Sequence, residues 1–289
     1  MSGDVTENVG PSEVGPEASD GLSGPDGPSP CEDRFEPSAA ARTASAEEGH
    51  GGDATDPRLT DEYVRLIEGD EHEGAGDVLL LGSVHDHPAS SYRIGERVAE
   101  FDPNVLALEV TPLSLPWFVT SADREEPHTC EMTAAVAAAP DSQPVAIDGL
   151  DAEFFATLVR NLRAEGPRFS TVRAVARGVG AVAKHATNCR LAAWADRYTP
   201  YRPSAGEPVS HDCDRTDPPE VQAADERRQA STSLALLRAV ERPAPVAVRD
   251  ETRETCMVRR IGRLREEGDV AAVVGVGHLE AVAAELAER

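Results

Sequence analysis

The chain of 289 residues contains one lysine, Lys184, and aromatic side chains make up only 4% of it. Its five cysteines, Cys31, Cys130, Cys189, Cys213 and Cys256, show no C-x-x-C spacing. An odd, scattered set in a chain of this length argues against a disulfide framework, so reduced thiols and a cytoplasmic location are expected. No apolar run approaches the roughly 18 residues needed to span a bilayer, and the amino terminus lacks a basic-then-apolar signal pattern. Neither membrane insertion nor secretion is expected.

What the chain has in excess is acid. Asp and Glu number 52 against 28 Lys and Arg, a formal net charge of −24. A charge of that sign repels nucleic-acid phosphates and anionic lipid surfaces, so neither is an expected partner. Acid excess, near absence of lysine and scarcity of aromatics together read as adaptation to concentrated salt, where screening within a few ångströms removes the self-repulsion.

From Met1 to about Pro57 the chain is Gly-, Pro-, Ser- and acid-rich with almost no aliphatic side chains. Such a segment buries too little surface to offset the entropy of ordering, so residues 1–57 are expected to form a disordered acidic tail before a domain over 58–289. From Asp77 onward, short aliphatic runs alternate with longer amphipathic stretches, the pattern of an α/β domain. Strands are predicted at Val78 to Ser83, Val105 to Val110, Pro144 to Asp148, Val246 to Val248 and Val270 to Val276. These runs lack polar alternation, which suits a largely parallel central sheet covered on both faces by helices. The helices are predicted at Ser90 to Phe101, Cys130 to Ala139, Asp151 to Arg163, Val172 to Arg197, Pro219 to Glu241 and Glu251 to Glu267. A polar, proline-rich stretch from Tyr198 to Pro218 breaks two arginine-bearing helices, so 167–242 reads as a helical insertion.

A G-x-x-H step occurs twice, as Gly82-Ser83-Val84-His85 after the first predicted strand and Gly275-Val276-Gly277-His278 at the last. In open α/β sheets, ligands bind outside the carboxyl ends of the strands, where loops distant in sequence converge. Glu109 and Asp148 fall at the ends of two further predicted strands, so four chemically competent side chains share one edge. Two imidazoles and one carboxylate form a common catalytic metal set with an open position for an acidified water. His85, Glu109 and His278 fit that count, with Asp148 either orienting an imidazole or taking the water proton. On spacing alone, polar strand ends and a salt-bridged Glu109 account for the same residues. His87 is an alternative ligand, although two residues from His85 it crowds the same face of a continuing strand. Arg249 follows the fourth predicted strand, where a guanidinium binds a carboxylate or an oxyanion bidentately, or simply pairs charges at a helix start. The G-x-S-x-G elbow of serine hydrolases is absent.

Four landmarks carry a family resemblance: LLLGSVHDHPAS, NVLALEV, PVAIDG, and VRDETRETCMVRRIGRL leading into VAAVVGVGHLEAV. From Val78 onward the chain resembles the TraB family, in the wider group with the Tiki proteases and ChaN-like proteins, as an acidic member of haloarchaeal type. The resemblance implies a metal-dependent hydrolase acting on peptides, of the pheromone-shutdown kind. Its ion, manganese, cobalt or zinc, is held by His85, Glu109 and His278, with Asp148, Arg249 and Asp250 in supporting motifs. Many archaeal relatives carry membrane helices after the domain; this chain ends at Arg289, and no membrane role is expected. Two departures stand out: Val110 where the family has Asp, and Gly149 where it has Arg. Losing these polar neighbours favours the alternative, a peptide-binding or regulatory protein that uses the same crevice without turnover.

Overall fold

The computed structural model of the protein describes residues 56–69, 74–122, 130–164, 166, 168–198, 209–239 and 243–289. All belong to one compact unit, Gly49–Arg289. The tail expected over 1–57 lies outside the described residues except for its last two positions, and so does 199–208 of the proline-rich stretch.

The fully buried aliphatic runs form the interior strands. β2 (Val78–Ser83), β3 (Val105–Leu108) and β5 (Val270–Gly275) are buried at every position. β4 (Gln143–Ala146) and β1 (Val64–Ile67) are half-buried edges. The order across the sheet is β1-β2-β5-β3-β4, with β1 antiparallel to β2 and the other pairings parallel. The expected parallel interior is therefore present, with one antiparallel edge strand added.

Because side chains alternate along a strand, each interior strand supplies both faces. Val78, Leu80, Ala107, Val270 and Ala272 pack with Met257, Ile261, Leu279 and Val282, which come from α7 (Ala244–Leu264) and α8 (Val276–Ala287). On the other face Leu79, Leu81, Leu106, Ala271 and Val273 pack with Ile94, Val98, Met132 and Ala135, from α1 (Pro88–Phe101) and α3 (Glu131–Ala138). α2 (Leu115–Ala122) lies beside α3. A satellite cluster of Phe154, Leu158, Val175, Val248 and Cys256 joins α4 (Ala152–Ala164), α5 (Phe169–Tyr198) and α7. α5 and α6 (Pro219–Ala239) form the helical insertion.

One predicted strand is a helix. Val246–Val248 lies inside α7, which begins at Ala244 behind Pro243 with a second proline in its first turn, where a missing N–H costs nothing. Val248, Thr252 and Cys256 are buried at i, i+4 and i+8, a helical stripe. A three-residue apolar run fits either element, and tertiary packing decides between them. Consequently Arg249 sits within a helix, not at a strand end. The last strand also stops sooner than predicted: β5 ends at Gly275, and His278 stands on the first turn of α8.

Candidate functional site

Parallel pairing brings Ser83 opposite Gly275 and Leu108 opposite both Val273 and Ala146, so the carboxyl ends of four strands share one edge. His85 follows β2, Glu109 follows β3, Asp148 follows β4 and His278 opens α8. The four residues drawn together by sequence reasoning thus meet at one crevice.

Glu109 sits low in this crevice. Its side chain is 3% exposed. Oε2 accepts the Gly275 N–H at 2.6 Å, placing the carboxylate at the amino end of α8, where the helix dipole favours negative charge. His278 Nε2 lies 3.7 Å from Glu109 Oε1. A Cβ at Gly275 would lie 3.4 Å from His85 Nε2 and 3.6 Å from Glu109 Oε2, so only a side-chain-free backbone leaves this meeting point open.

Each imidazole is held from behind. His85 Nδ1 donates to Glu131 Oε1 at 2.8 Å, and His278 Nδ1 faces Glu254 Oε1 at 2.8 Å. Glu131 is buried, and its Oε2 also accepts the Asp86 N–H at 3.0 Å. The hydrogen bond to Glu131 lifts the His85 imidazole to about 9 against opposing desolvation, with the Glu131, Glu109 and Asp86 charges adding to the rise. Burial works against ionisation of Glu131, but the hydrogen bond and charge of His85 overcome it and hold the carboxyl below its usual range. Asp86, between the two histidines, adopts a left-handed backbone with φ 59°, a conformation Asp tolerates better than most residues.

The centre of the crevice is occupied by Arg253, which sequence reasoning missed. Its guanidinium is bidentate on Asp148, with Nε to Oδ1 at 3.1 Å and Nη2 to Oδ2 at 2.9 Å. Nη2 also pairs with Glu109 Oε1, and Nη1 donates to His278 Nε2 at 3.1 Å. An arginine is always a donor, so His278 Nε2 accepts and its proton stays on Nδ1, facing Glu254. Burial disfavours the Arg253 charge, yet Asp148 and Glu109 more than compensate and raise its pKa further. Asp148 therefore orients a guanidinium and not an imidazole. Arg249, one helical turn earlier, pairs with Asp250 at 3.1 Å and borders a small cleft with Asp148, Leu150, Phe154, Val179 and Arg253. Glu131, Arg253 and Glu254 each sit on a predicted helix, and an acid at the head of the apolar run CEMTAAVAAA was the one sequence-level sign that a partner awaited it.

The two departures also have places in the structure. Val110 is buried in the apolar layer beneath α3, and a Cβ at Gly149 would lie 3.4 Å from Arg260 Nη2.

Among the described residues, two groups of side chains bring ligand atoms within 4.8 Å of one another: Asp86 with Cys130 and Glu131, and His87 with Cys213 and Asp225. The protein therefore carries two candidate metal-binding clusters, both adjoining the turn that bears His85. His85, Glu109 and His278 are not a third such group, since their ligand atoms do not all lie within 4.8 Å of one another; Arg253 bonds Glu109 Oε1 and His278 Nε2. Among the described residues, no helix is long and apolar enough to cross a membrane. Compared with family models, curated proteins and solved structures, the chain matches none.

Proposed function

We propose that the crevice holds a divalent ion through His85, Glu109 and His278 and hydrolyses an amide bond of a peptide, as a TraB-type enzyme. The observation that carries this reading is the paired anchoring of the imidazoles. Each has Nδ1 against a carboxylate, Glu131 or Glu254, and presents Nε2 toward the side where Glu109 lies. Metal-bound histidines are held in this manner, since the outer carboxylate fixes the tautomer and strengthens the donor. The open space at Gly275 suits the same assignment. An ion held there supplies Lewis acidity, polarising a carbonyl and acidifying water. Manganese, cobalt and zinc are all compatible with a nitrogen- and oxygen-donor set.

The remaining residues take roles from their contacts. Arg253 covers Glu109 and His278; were those atoms to hold an ion, Asp148 would retain the guanidinium with two oxygens. Held there, the guanidinium meets negative charge developing on a substrate carbonyl. Arg249, at the rim of the small cleft lined by Leu150, Phe154 and Val179, suits a peptide carboxylate.

One observation favours the alternative of peptide binding without turnover. Arg253 already satisfies Glu109 Oε1 and His278 Nε2, two of the atoms that a metal needs, and with Arg249 on the same cleft it suits a peptide carboxylate. Elemental analysis separates the two. Purified protein reconstituted in high salt with manganese, cobalt or zinc is expected to hold a crevice ion that His85→Ala and His278→Ala lose, and to cleave peptides in a chelator-sensitive manner. A crevice that binds peptides tightly but takes up none of the three ions supports the alternative.

A further inference from the structure

We infer that His87, Cys213 and Asp225, with His211 beside them, form a second metal site of zinc type that fastens residues 209–239 to the turn between β2 and α1. Three segments far apart in sequence contribute: the N-cap of α1, the loop before α6, and α6 itself. His87 is 0% exposed, Cys213 8% and Asp225 2%, so all three ligands are buried, and an ion reaches them from the cleft that Cys213 and half-buried His211 line with Pro88 and Val209.

The spacing matches a tetrahedral ion. Zinc bonds of about 2.0–2.1 Å to nitrogen and oxygen and about 2.3 Å to sulfur, at tetrahedral angles, set N and O about 3.3 Å apart and N and S about 3.6 Å apart. His87 Nε2 lies 3.3 Å from Asp225 Oδ2 and 3.5 Å from Cys213 Sγ. A thiolate, imidazole and carboxylate set favours zinc over the hard cations, which prefer oxygen alone.

An independent observation points to a donor beside the cluster, His211, which stands outside the group whose ligand atoms lie within 4.8 Å of one another. Gln229 Nε2 donates to Asp225 Oδ2 at 2.8 Å, so its Oε1 is free to accept from His211 Nδ1 at 2.9 Å. The proton of His211 is thereby fixed on Nδ1, and Nε2 is left with a bare lone pair. That atom is buried and has no hydrogen-bond partner. Its ring packs edge-on against His87, with centroids 4.8 Å apart. A buried acceptor without a partner is costly, and a ligand that takes its lone pair removes the cost. The same Gln229 thus orients both His211 and Asp225, as outer partners of metal ligands do.

Binding rearranges two protons. Cys213 binds as thiolate, its proton passing to solvent. His87 Nδ1 now accepts the Ala89 N–H at 3.1 Å. With Nε2 on the ion, the ring proton moves to Nδ1, and the Ala89 N–H gives up this cap. In the other cysteine-containing group, Asp86, Cys130 and Glu131, the carboxylate is held by His85, the Asp86 N–H and Ser83; Asp225 is likewise held by Gln229 and Arg228, but it lies against both His87 and Cys213. The staple also matters to the crevice, because the Val209 N–H bonds Asp86 Oδ2 at 3.2 Å, setting the fastened loop beside His85.

Cobalt substitution tests the site in the full-length protein. Thiolate coordination gives an intense near-ultraviolet charge-transfer band, which a crevice of His and Glu donors cannot give. We expect that band in wild-type protein, in Cys130→Ser and in His278→Ala, and its loss in Cys213→Ser. Zinc should raise the melting temperature of His278→Ala, which lacks the crevice site, and leave that of the His278→Ala, Cys213→Ser double variant unchanged. Should Cys213→Ser not fold, His211→Ala and Asp225→Asn are expected to weaken cobalt binding by more than about tenfold while keeping native circular dichroism. Absence of the band in cobalt-loaded wild type overturns the site, as does its survival in Cys213→Ser, or unchanged affinity in both His211→Ala and Asp225→Asn.

Discussion

His85 and His87 are separated by one residue and stand in opposite surroundings. The His85 side chain is 57% exposed, faces the crevice and is made more basic by Glu131. His87 is fully buried, caps α1 and lies against Asp225 of α6; burial pulls its pKa below the usual value despite the Glu226 and Asp225 charges. The left-handed Asp86 between them turns the chain, so the shared strand face that would have crowded two ligands never forms. The difference separates an exposed imidazole paired with Glu131 from a buried one that caps α1 and meets α6.

The sharpest break of this comparison is loss of a crevice ligand. His278→Ala or Glu109→Gln should abolish metal uptake by the crevice, measured by elemental analysis, and leave the fold intact by circular dichroism. Next in size is the buried side. Arg93 is 0% exposed and bidentate on Glu226, with Nη1 to Oε2 at 2.7 Å and Nη2 to Oε1 at 2.8 Å. Glu226→Ala leaves that guanidinium uncompensated and should cost about 3–5 kcal/mol in chemical denaturation. Glu131→Gln and Glu254→Gln alter only the atoms behind the imidazoles, and should weaken crevice metal binding by about 10–100-fold in competition titrations.

The smallest effects come from pH and sharpen the contrast. In metal-free protein His85 is more basic folded than unfolded, so its pairing stabilises fully below its ordinary pKa of 6.5 and is lost as pH rises through about 9. His87 is less basic folded than unfolded, so its contribution is complete above 6.5 and declines as pH falls below it. Melting curves of His85→Ala should therefore flatten on the alkaline side. Those of His87→Asn, which keeps a capping side chain, should flatten on the acid side. If both variants alter the same limb, the two environments are not opposed.

The interior strands were legible because Val78–Ser83 and Val270–Gly275 are buried on both faces and carry unbroken aliphatic runs. β1 was not, since Val64–Ile67 is a four-residue edge with a charged residue inside it. The strand ends also told where His85, Glu109, Asp148 and His278 would gather, because parallel pairing sends them to one edge. What holds those residues was not legible. Glu131 meets His85 from 46 positions away and Arg253 meets Glu109 from 144, pairings that no local spacing records. Misreading Val246–Val248 as a strand drew attention to Arg249, when the helix it belongs to delivers Arg253, one turn later, to the centre. The buried cluster escaped notice for the same reason: Asp225 lies 138 residues from His87 and looked like any acid in an acidic helix.

Metal content of the reconstituted protein and its variants tests the account most directly. After exchange into high-salt buffer free of loose ions, wild type should retain two ions per chain. His278→Ala should lose the one in the crevice, Cys213→Ser the one beside α6, and the double variant both. A His278→Ala protein that folds and keeps the full wild-type metal content contradicts the assignment of the crevice as a metal centre.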